Sequence, residues 1–216
     1  LSFVLFSIYK YRIKQKQAID ELNSRAQLLE KEKSVVQYEN LKQQLNPHFL
    51  FNSLTSLSSL ITVDPKIARQ FVDQMSKIYR YILKSSDNET VPLINEINFA
   101  TTYVKLQQTR FPKGFEVHIN VDEEFYDRKI VPVTIQNMIE NAIKHNIIDE
   151  ESPLVIEIFV EDEYLVVKNN LQKKNVVEAS NKVGLEKMIT LYKYLIDKPI
   201  IIKVANEKFE IRIPLI

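Results

Sequence analysis

The chain has 216 residues, of which 45% are hydrophobic and 26% charged, and its formal net charge is +1. This composition is typical of a folded protein with one large domain or two small ones, and the low net charge gives no support for a nucleic-acid surface. The absence of cysteine excludes disulfides, thiol chemistry and cysteine-bound metals. Two glycines, Gly114 and Gly184, are too few for a P-loop or a dinucleotide-binding fingerprint.

The first nine residues, Leu1–Tyr9, are apolar, and a basic segment follows them. A membrane span needs about 20 apolar residues, so this run alone is too short to cross a bilayer. It is either the end of a transmembrane helix, whose basic flank marks the cytoplasmic side, or a short amphipathic segment. Because the sequence begins at Leu1 rather than Met, we expect residues 1–13 to be the end of a span with its juxtamembrane basic segment.

A long helix is predicted over residues 14–45, which are rich in Lys, Gln, Glu and Leu and contain no Pro or Gly. Apolar side chains keep a spacing of three and four residues at Ile19, Leu22, Ala26, Leu29 and Val36. Lys33 and Asn40 interrupt this series, so the heptad pattern is weak. A dimerising or signal-carrying coiled coil and a solvated linker helix both fit it.

Helices are also predicted at 46–61 and 66–84, because Asp64-Pro65 marks a turn and a new helix start. Their short connection predicts an antiparallel hairpin. A loop should follow at 85–92, and another helix at 93–109.

His48 lies at the start of the first of these helices, with Asn46 as N-cap and Pro47 at the first helical position. An apolar stripe and a polar stripe run along this helix about 200° apart. The apolar stripe is Leu50, Leu54, Leu57 and Ile61, and the polar stripe is His48, Asn52, Thr55 and Ser59. A core histidine would lie on the apolar side. The pattern instead favours a presented imidazole, which is a competent nucleophile at neutral pH.

After Gly114 the sequence alternates as strands do. Strands are predicted at 115–121, 155–160, 164–169, 200–205 and 209–215, with tight hairpin turns at Glu161-Asp162-Glu163 and Asn206-Glu207. Helices are predicted at 133–147 and 184–196. Strands in antiparallel hairpins with helices between them predict an α+β sandwich, with the helices on one face of the sheet.

The helix over 133–147 gathers polar side chains on one face. These are Asn137, Glu140, Asn141, Lys144 and His145, whereas Ile135, Met138, Ile139 and Ala142 point away from them. Oxygen ligands and an ammonium group suit a hydrated Mg²⁺ ion with nucleotide phosphates. A solvated helix face is the alternative, although asparagine is a weak helix former and a poor choice for such a face.

Together these stretches resemble the LytS/YehU-type sensor histidine kinases. "QLNPHFLFNSL" over 44–54 resembles the H box of that family, and "QNMIENAIKHN" over 136–146 resembles its N box. "RYIL", "VPLINEI" and "YVKLQQTRF" are similar to its connecting pattern, and "VGLEKMITLYKYL" to its second glycine box and following helix. The resemblance covers residue 41 to the end.

The resemblance implies two parts. A dimerisation and histidine-phosphotransfer hairpin at 46–90, which pairs with a second copy as a four-helix bundle, precedes a GHKL-type ATP-binding domain at 91–216. In the hairpin, His48 is the implied phosphoacceptor, and Asn52 would orient its ring.

In the ATP-binding domain, Asn141 is the implied Mg²⁺ ligand. Asn137, Lys144 and His145 would lie at the nucleotide, with Glu140 orienting its phosphates.

The glycine boxes depart from the family pattern. The first usually reads Asp-x-Gly, but "KNNLQ" places Asn169 at the Asp and Leu171 at the Gly, which keeps an acceptor for adenine but loses the charge. The second reads "KVG", which keeps Gly184, followed by Leu185. The lid between the boxes, residues 171–182, is short and polar. No carboxylate follows His48, so the group that accepts its proton is unassigned.

The implied function is that of a sensor histidine kinase of a two-component system, at the bacterial cytoplasmic membrane, with this chain on the cytoplasmic side. A homodimer would use ATP and Mg²⁺ to phosphorylate His48 and would pass the phosphoryl group to an aspartate of a response regulator of the LytTR type, without contacting nucleic acid itself. The alternatives are a catalytically degenerate dimeric scaffold with weak or no ATP binding, and an ATPase without a kinase step.

Overall fold

The computed structural model describes residues 47–86, 88–174 and 182–216, together with Lys16 and Arg25, which are both helical. The chain separates into two compact units, Leu1–Leu50 and Phe51–Ile216. Apart from Lys16 and Arg25, the segments predicted as a membrane-span end and a long helix, 1–13 and 14–45, lie outside the described residues. Among those described, no helix has the length and apolar character needed to cross a membrane.

Five α-helices and seven strands are formed by the described residues. The helices are α1 (Pro47–Val63), α2 (Pro65–Ser85), α3 (Leu93–Arg110), α4 (Thr134–His145) and α5 (Lys182–Leu195). The strands are β1 (Val91–Pro92), β2 (Phe115–Asn120), β3 (Lys129–Ile130), β4 (Leu154–Glu161), β5 (Tyr164–Asn170), β6 (Ile201–Ala205) and β7 (Lys208–Pro214). The helices and strands predicted beyond residue 45 are confirmed, whereas the short strands β1 and β3 and a 3₁₀ turn at Glu123–Phe125 were not predicted.

A single residue, Asp64, separates α1 from α2. A residue before proline is pushed out of the helical region, and Asp64 has φ −148° and ψ 95°. Its carboxylate accepts the backbone N–H groups of Lys66 at 2.9 Å and Ile67 at 3.1 Å, which would otherwise be unpaired at the helix start. The predicted turn is confirmed, while antiparallel packing of the two helices stays a prediction.

Helix α1 exposes polar and apolar residues alike. Thr55 and Ser59 on the polar stripe are exposed, and each hydroxyl donates to a backbone carbonyl one turn back, at 3.0 and 3.3 Å. Their polar groups are therefore satisfied within the helix. On the apolar stripe, Leu54 and Ile61 are 47% and 58% exposed. This stripe is thus available as a surface.

Helix α2 buries one stripe of side chains, Ala68, Phe71, Met75, Ile78, Ile82 and Ser85. It packs against α3, where the Tyr81 ring stacks on Phe99 with centroids 4.2 Å apart and planes at 19°. The two rings belong to residues on either side of the 85–92 segment, at which we place the domain boundary. That boundary stays a prediction.

The five-stranded sheet has the order β2-β4-β5-β7-β6. The two predicted hairpins, β4 with β5 and β6 with β7, are antiparallel, and β5 and β7 also pair antiparallel. β2, for which no partner was predicted, pairs parallel to β4 at the edge of the sheet. The chain between β2 and β4 includes α4, and such a crossover returns the second strand in the same direction as the first.

Two hairpin turns join the antiparallel strands through two-residue loops. Asp162 and Glu163 have φ 50° and 65°, and Asn206 and Glu207 have φ 51° and 57°. Left-handed conformation at both positions is the turn that matches the twist of a two-residue hairpin. Asp and Asn tolerate this region better than most residues, so the chain forms both turns without glycine.

One face of the sheet is buried beneath helices. Its covered side chains are Leu154, Ile156, Ile158, Leu165, Val167, Ile211 and Ile213. Helix α3 packs on β2, and α4 packs on β4 and β5, with Ile135 and Ile139 fully buried. The opposite face carries charged side chains such as Glu157, Lys168 and Arg212. The predicted sandwich with helices on one face is confirmed.

Asp64→Ala should lower the free energy of unfolding by about 1 kcal/mol, because two N–H groups at the start of α2 lose their acceptor. Urea unfolding followed by circular dichroism measures this. Asp73→Ala, at an exposed position in the middle of α2, is the matched control and should change the free energy by less than about 0.5 kcal/mol. Equal losses in both variants would contradict a capping role for Asp64.

Candidate functional site

Helix α4 divides into two faces as the sequence predicted. Its apolar side chains, Ile135, Met138, Ile139 and Ala142, are buried. Asn137 is exposed, and Glu140, Asn141, Lys144 and His145 are half-buried. We call these last five residues the polar face of α4. The structure brings them together on one accessible surface, and their role in binding stays a prediction.

Glu140 lies at the edge of this polar face that is nearest to α2 and α3. Its Oε2 accepts a hydrogen bond from Gln136 Nε2 at 3.3 Å. Burial, followed by the negative charge of Glu140, raises the pKa of Tyr79 on α2 to about 12. Burial and the same charge also raise the pKa of Tyr103 on α3. The carboxylate is therefore close to side chains of both helices.

A chain of polar side chains on α3 borders Glu140. Gln107 Nε2 donates to Tyr103 Oη at 2.8 Å, and Arg110 Nη1 donates to Gln107 Oε1 at 3.1 Å. Burial lowers the pKa of Arg110, although the Tyr103 hydroxyl and the Glu140 carboxylate oppose that shift. These three α3 residues belong to the "YVKLQQTRF" stretch, so this motif forms the polar wall beside α4.

The C-terminal end of α4 is tied to the segment that follows β5. Asn146 is 1% exposed; its Nδ2 donates to Ala142 O at 2.8 Å and its Oδ1 accepts the Gln172 N–H at 2.7 Å. The Ile147 N–H in turn donates to Gln172 O at 2.8 Å. Sequence reasoning assigned no role to Asn146, although it is the last letter of the N-box stretch.

Positive groups collect at the same end of α4. The Lys174 N–H donates to His145 O at 3.1 Å, and its Nζ donates to Ile143 O at 3.0 Å. Burial, followed by the charges of Lys144 and Lys174, lowers the pKa of His145. Lys144 and Lys174 are thus near enough to His145 to lower its pKa, and the C-terminal end of a helix favours such positive groups.

Asn169 lies near the end of β5 on the face that the helices cover, opposite Ile156 and Phe209. It is 4% exposed, and its Nδ2 donates to the Asn170 carbonyl. Because α4 packs on β5, Asn169 lies in the layer beneath α4. Gly184 lies in the first turn of α5, where Leu185 is half-buried.

The other two predicted residues lie on α1. The backbone of His48 is helical, at the second residue of α1, and its side chain is outside the described part of the chain. Asn52, one turn further on, is half-buried. The roles assigned to both residues stay predictions.

Glu96 on α3 is a site residue that sequence reasoning missed. Its side chain is fully buried, and its carboxylate accepts N–H groups from Val133 at 2.7 Å and Ile135 at 3.2 Å at the start of α4. Tyr81 Oη on α2 donates to the same carboxylate at 2.6 Å. Burial raises the pKa of Glu96, while these hydrogen bonds oppose the shift. The available signal was an acidic residue inside the largely apolar "VPLINEI".

A groove of about 370 Å³ lies between α2 and α3. Its lining includes Lys77, Tyr81, Lys84, Asn95 and Phe99. None of the site residues predicted from sequence lines it, so this groove is separate from the polar face of α4.

Comparison with known proteins identifies the family, and the matching family model covers the H box at 44–54. The histidine kinase family model matches residues 36–115. Sensor protein LytS of Staphylococcus epidermidis is 36% identical over 107 residues, which are 50% of this chain and 18% of that protein. The sensor histidine kinase/phosphatase LytS of Staphylococcus aureus is 30% identical over 149 residues, 69% of this chain and 24% of that one. This chain belongs to the LytS-type histidine kinases. It spans about a fifth to a quarter of the length of these curated relatives.

Solved structures give weaker likenesses. The cytoplasmic segment of histidine kinase QseC aligns with a TM-score of 0.42 and 14% identity, over 69% of this chain and 94% of that one. A bacterial phosphotransferase aligns with a TM-score of 0.49 and 9% identity, over 82% of this chain and 95% of that one.

Proposed function

We propose that this chain is the kinase portion of a sensor histidine kinase. It binds ATP with Mg²⁺, phosphorylates His48 and passes the phosphoryl group to an aspartate of a response regulator. The observation that carries the proposal is the polar face of α4, an accessible row of amides, a carboxylate and an ammonium group above a buried apolar face. Family membership and the H box around His48 support it.

The residues of α4 fit a magnesium-nucleotide complex. Asn137 and Asn141 offer amide oxygens, the ligand type that Mg²⁺ takes beside phosphates and water, and Lys144 offers a point charge to a phosphate. Asn169 beneath α4 offers an acceptor for the amino group of adenine. When bound, Mg²⁺ neutralises part of the phosphate charge. The chain's own residues orient the nucleotide and hold its phosphates.

The proposed chemistry has two transfers. A nitrogen of His48 attacks the γ-phosphorus, a P–N bond forms, the bond to the β,γ-bridging oxygen breaks, and ADP leaves while the ring proton passes to water. An aspartate oxygen of the regulator then attacks the same phosphorus, the P–N bond breaks, and the imidazole regains a proton. Phosphoryl transfer depends mainly on positioning and charge neutralisation, so one imidazole and one nucleotide-holding helix supply what it needs.

Two finer points rest on the family resemblance. We propose that the response regulator is of the LytTR type, and that residues 1–13 hold the chain at the cytoplasmic face of the bacterial membrane. Phosphoryl transfer from His48 to such a regulator checks the first point. Recovery of the chain with membranes after cell lysis checks the second, and a chain found entirely in the supernatant would contradict it.

We also propose that the chain works as a homodimer that pairs through α1. Leu54 and Ile61 are exposed, and Leu57 between them is half-buried, so this stripe offers apolar area to a second copy. Pairing two copies of α1 and α2 along the stripe would form a four-helix bundle, in which facing apolar positions become the core.

Asn141→Ala should weaken binding of ATP with Mg²⁺ by about tenfold or more, because an oxygen ligand is lost beside the phosphates. Isothermal titration calorimetry measures the affinity. Asn98→Ala, at an exposed position on α3, is the matched control and should bind as the unaltered chain does. If the unaltered chain shows no heat at millimolar nucleotide, the catalytically degenerate scaffold is the better description.

His48→Gln should abolish labelling from γ-labelled ATP, because no other nitrogen replaces the acceptor. The label on the unaltered chain should be acid-labile, as a P–N bond is. His118→Gln, at an exposed position on β2, is the matched control and should keep the label. Labelling that survives in His48→Gln, or phosphate release that continues without any labelled protein, would contradict the kinase assignment.

The double substitution Leu54→Asp with Ile61→Asp should raise the dimer dissociation constant by about 100-fold or more, because two apolar contacts become buried charges. Sedimentation velocity over a concentration series measures this. Thr55→Asp with Ser59→Asp adds the same charge to the polar stripe of the same helix and should leave the dimer intact. Equal effects of the two pairs would contradict pairing through the apolar stripe.

A further inference from the structure

Helix α4 cannot cap its own first turn. It begins after Val133, whose φ of 66° is uncommon for a β-branched residue and whose side chain offers no hydrogen bond to the helix. The first N–H groups of a helix need acceptors from elsewhere. Here the acceptor is Glu96 of α3, which takes the N–H groups of Val133 and Ile135 and contacts that of Thr134. The start of α4 is therefore fixed from another helix.

The same carboxylate reaches α2. Tyr81 Oη donates to Glu96 Oε1, the oxygen that also accepts the Val133 N–H. The Tyr81 ring is held by its stacking on Phe99 of α3. A shift of α2 along α3 therefore moves a donor on the carboxylate that fixes α4. Glu96 is a direct hydrogen-bonded link between α2 and the first turn of the N-box helix.

Helix α5 also bonds to the segment just before α4. The Val131 N–H donates to Tyr192 Oη of α5 at 3.3 Å. Tyr192 is 1% exposed. The segment that leads into α4 is therefore held by α5 as well as by α3.

We propose that Glu96 is a positioning residue for phosphorylation of His48, and that Tyr81 couples the placement of α2 to that of the N-box helix. Helix α2 follows the His48-bearing helix after one residue, and α4 carries the polar face for the nucleotide. The Tyr81–Glu96 hydrogen bond thus joins α2, the second helix of the predicted hairpin, to the helix that carries the polar face. The inference rests on the proposed kinase function.

The test uses the full chain with Tyr81→Phe, which removes one hydroxyl and leaves both the stacking ring and the Glu96 cap in place. The rate of His48 phosphorylation at saturating ATP should fall about tenfold, while the KM for ATP changes less than about twofold, because α4 keeps its N-terminal acceptor. Tyr194→Phe, at a residue 86% exposed on α5, is the matched control and should keep both parameters.

Glu96→Gln extends the test. An amide offers one oxygen and places N–H groups against the N–H groups of α4. The phosphorylation rate should therefore fall and the KM for ATP should rise. Thermal unfolding of each variant gives its folded fraction at the assay temperature. Three results for Tyr81→Phe would each overturn the coupling. These are an unchanged rate, a change in the KM for ATP alone, and a fall in rate no larger than the fall in the fraction of folded protein.

Amide hydrogen exchange separates this inference from the kinase assignment. In the nucleotide-free chain, Tyr81→Phe should speed exchange at the Val133 and Ile135 N–H groups by about threefold or more, whereas Tyr194→Phe should not. Unchanged exchange at both amides would overturn the coupling even if the chain is a kinase. If His48 of the unaltered chain is never labelled, the proposed kinase function is overturned. The exchange measurement would still test the hydrogen-bonded link between Tyr81, Glu96 and α4.

Discussion

The Glu96 carboxylate at the start of α4 is the interaction on which the site depends. Burying a carboxylate is costly unless hydrogen bonds replace its water. Backbone N–H groups at the start of α4 and the Tyr81 hydroxyl supply them, and the helix N-terminus favours a negative group. This contact fixes the N-terminal end of α4, while its buried apolar face packs on the sheet, and together they place the side chains of the polar face.

This contact also determines where an anion can bind on α4. The N-terminus of a helix is often the place that receives a phosphate, because its free N–H groups point outward. Here the protein's own carboxylate takes that place. The positive groups lie instead at the other end, where Lys144, His145 and Lys174 gather. The first turn of α4 is therefore already occupied by Glu96, and the accessible polar groups of this helix lie along its length and at its C-terminal end.

Local pattern explains what the sequence predicted well. The helix start at Asp64-Pro65, the two faces of α4 and both hairpin turns are each determined by residues close together in the chain, so local spacing and residue type reveal them. What was missed depends on distant partners. Glu96 bonds backbone atoms 37 and 39 residues away, Asn146 bonds one 26 residues away, and no nearby residue shows that β2 will pair parallel to β4. Every residue type has much the same backbone N–H and C=O groups, so the sequence does not reveal which distant backbone group a side chain will bind.

Strand β6 ends the sheet, and its outer backbone groups have no neighbouring strand among the described residues. Such an edge is a template on which another chain can add a strand. The residues of β6 are mostly β-branched, and Val204 is 60% exposed, which would favour aggregation through this edge. Lys203, exposed in the middle of the strand, places a charge where a second copy would have to stack, so it protects the solubility of the domain.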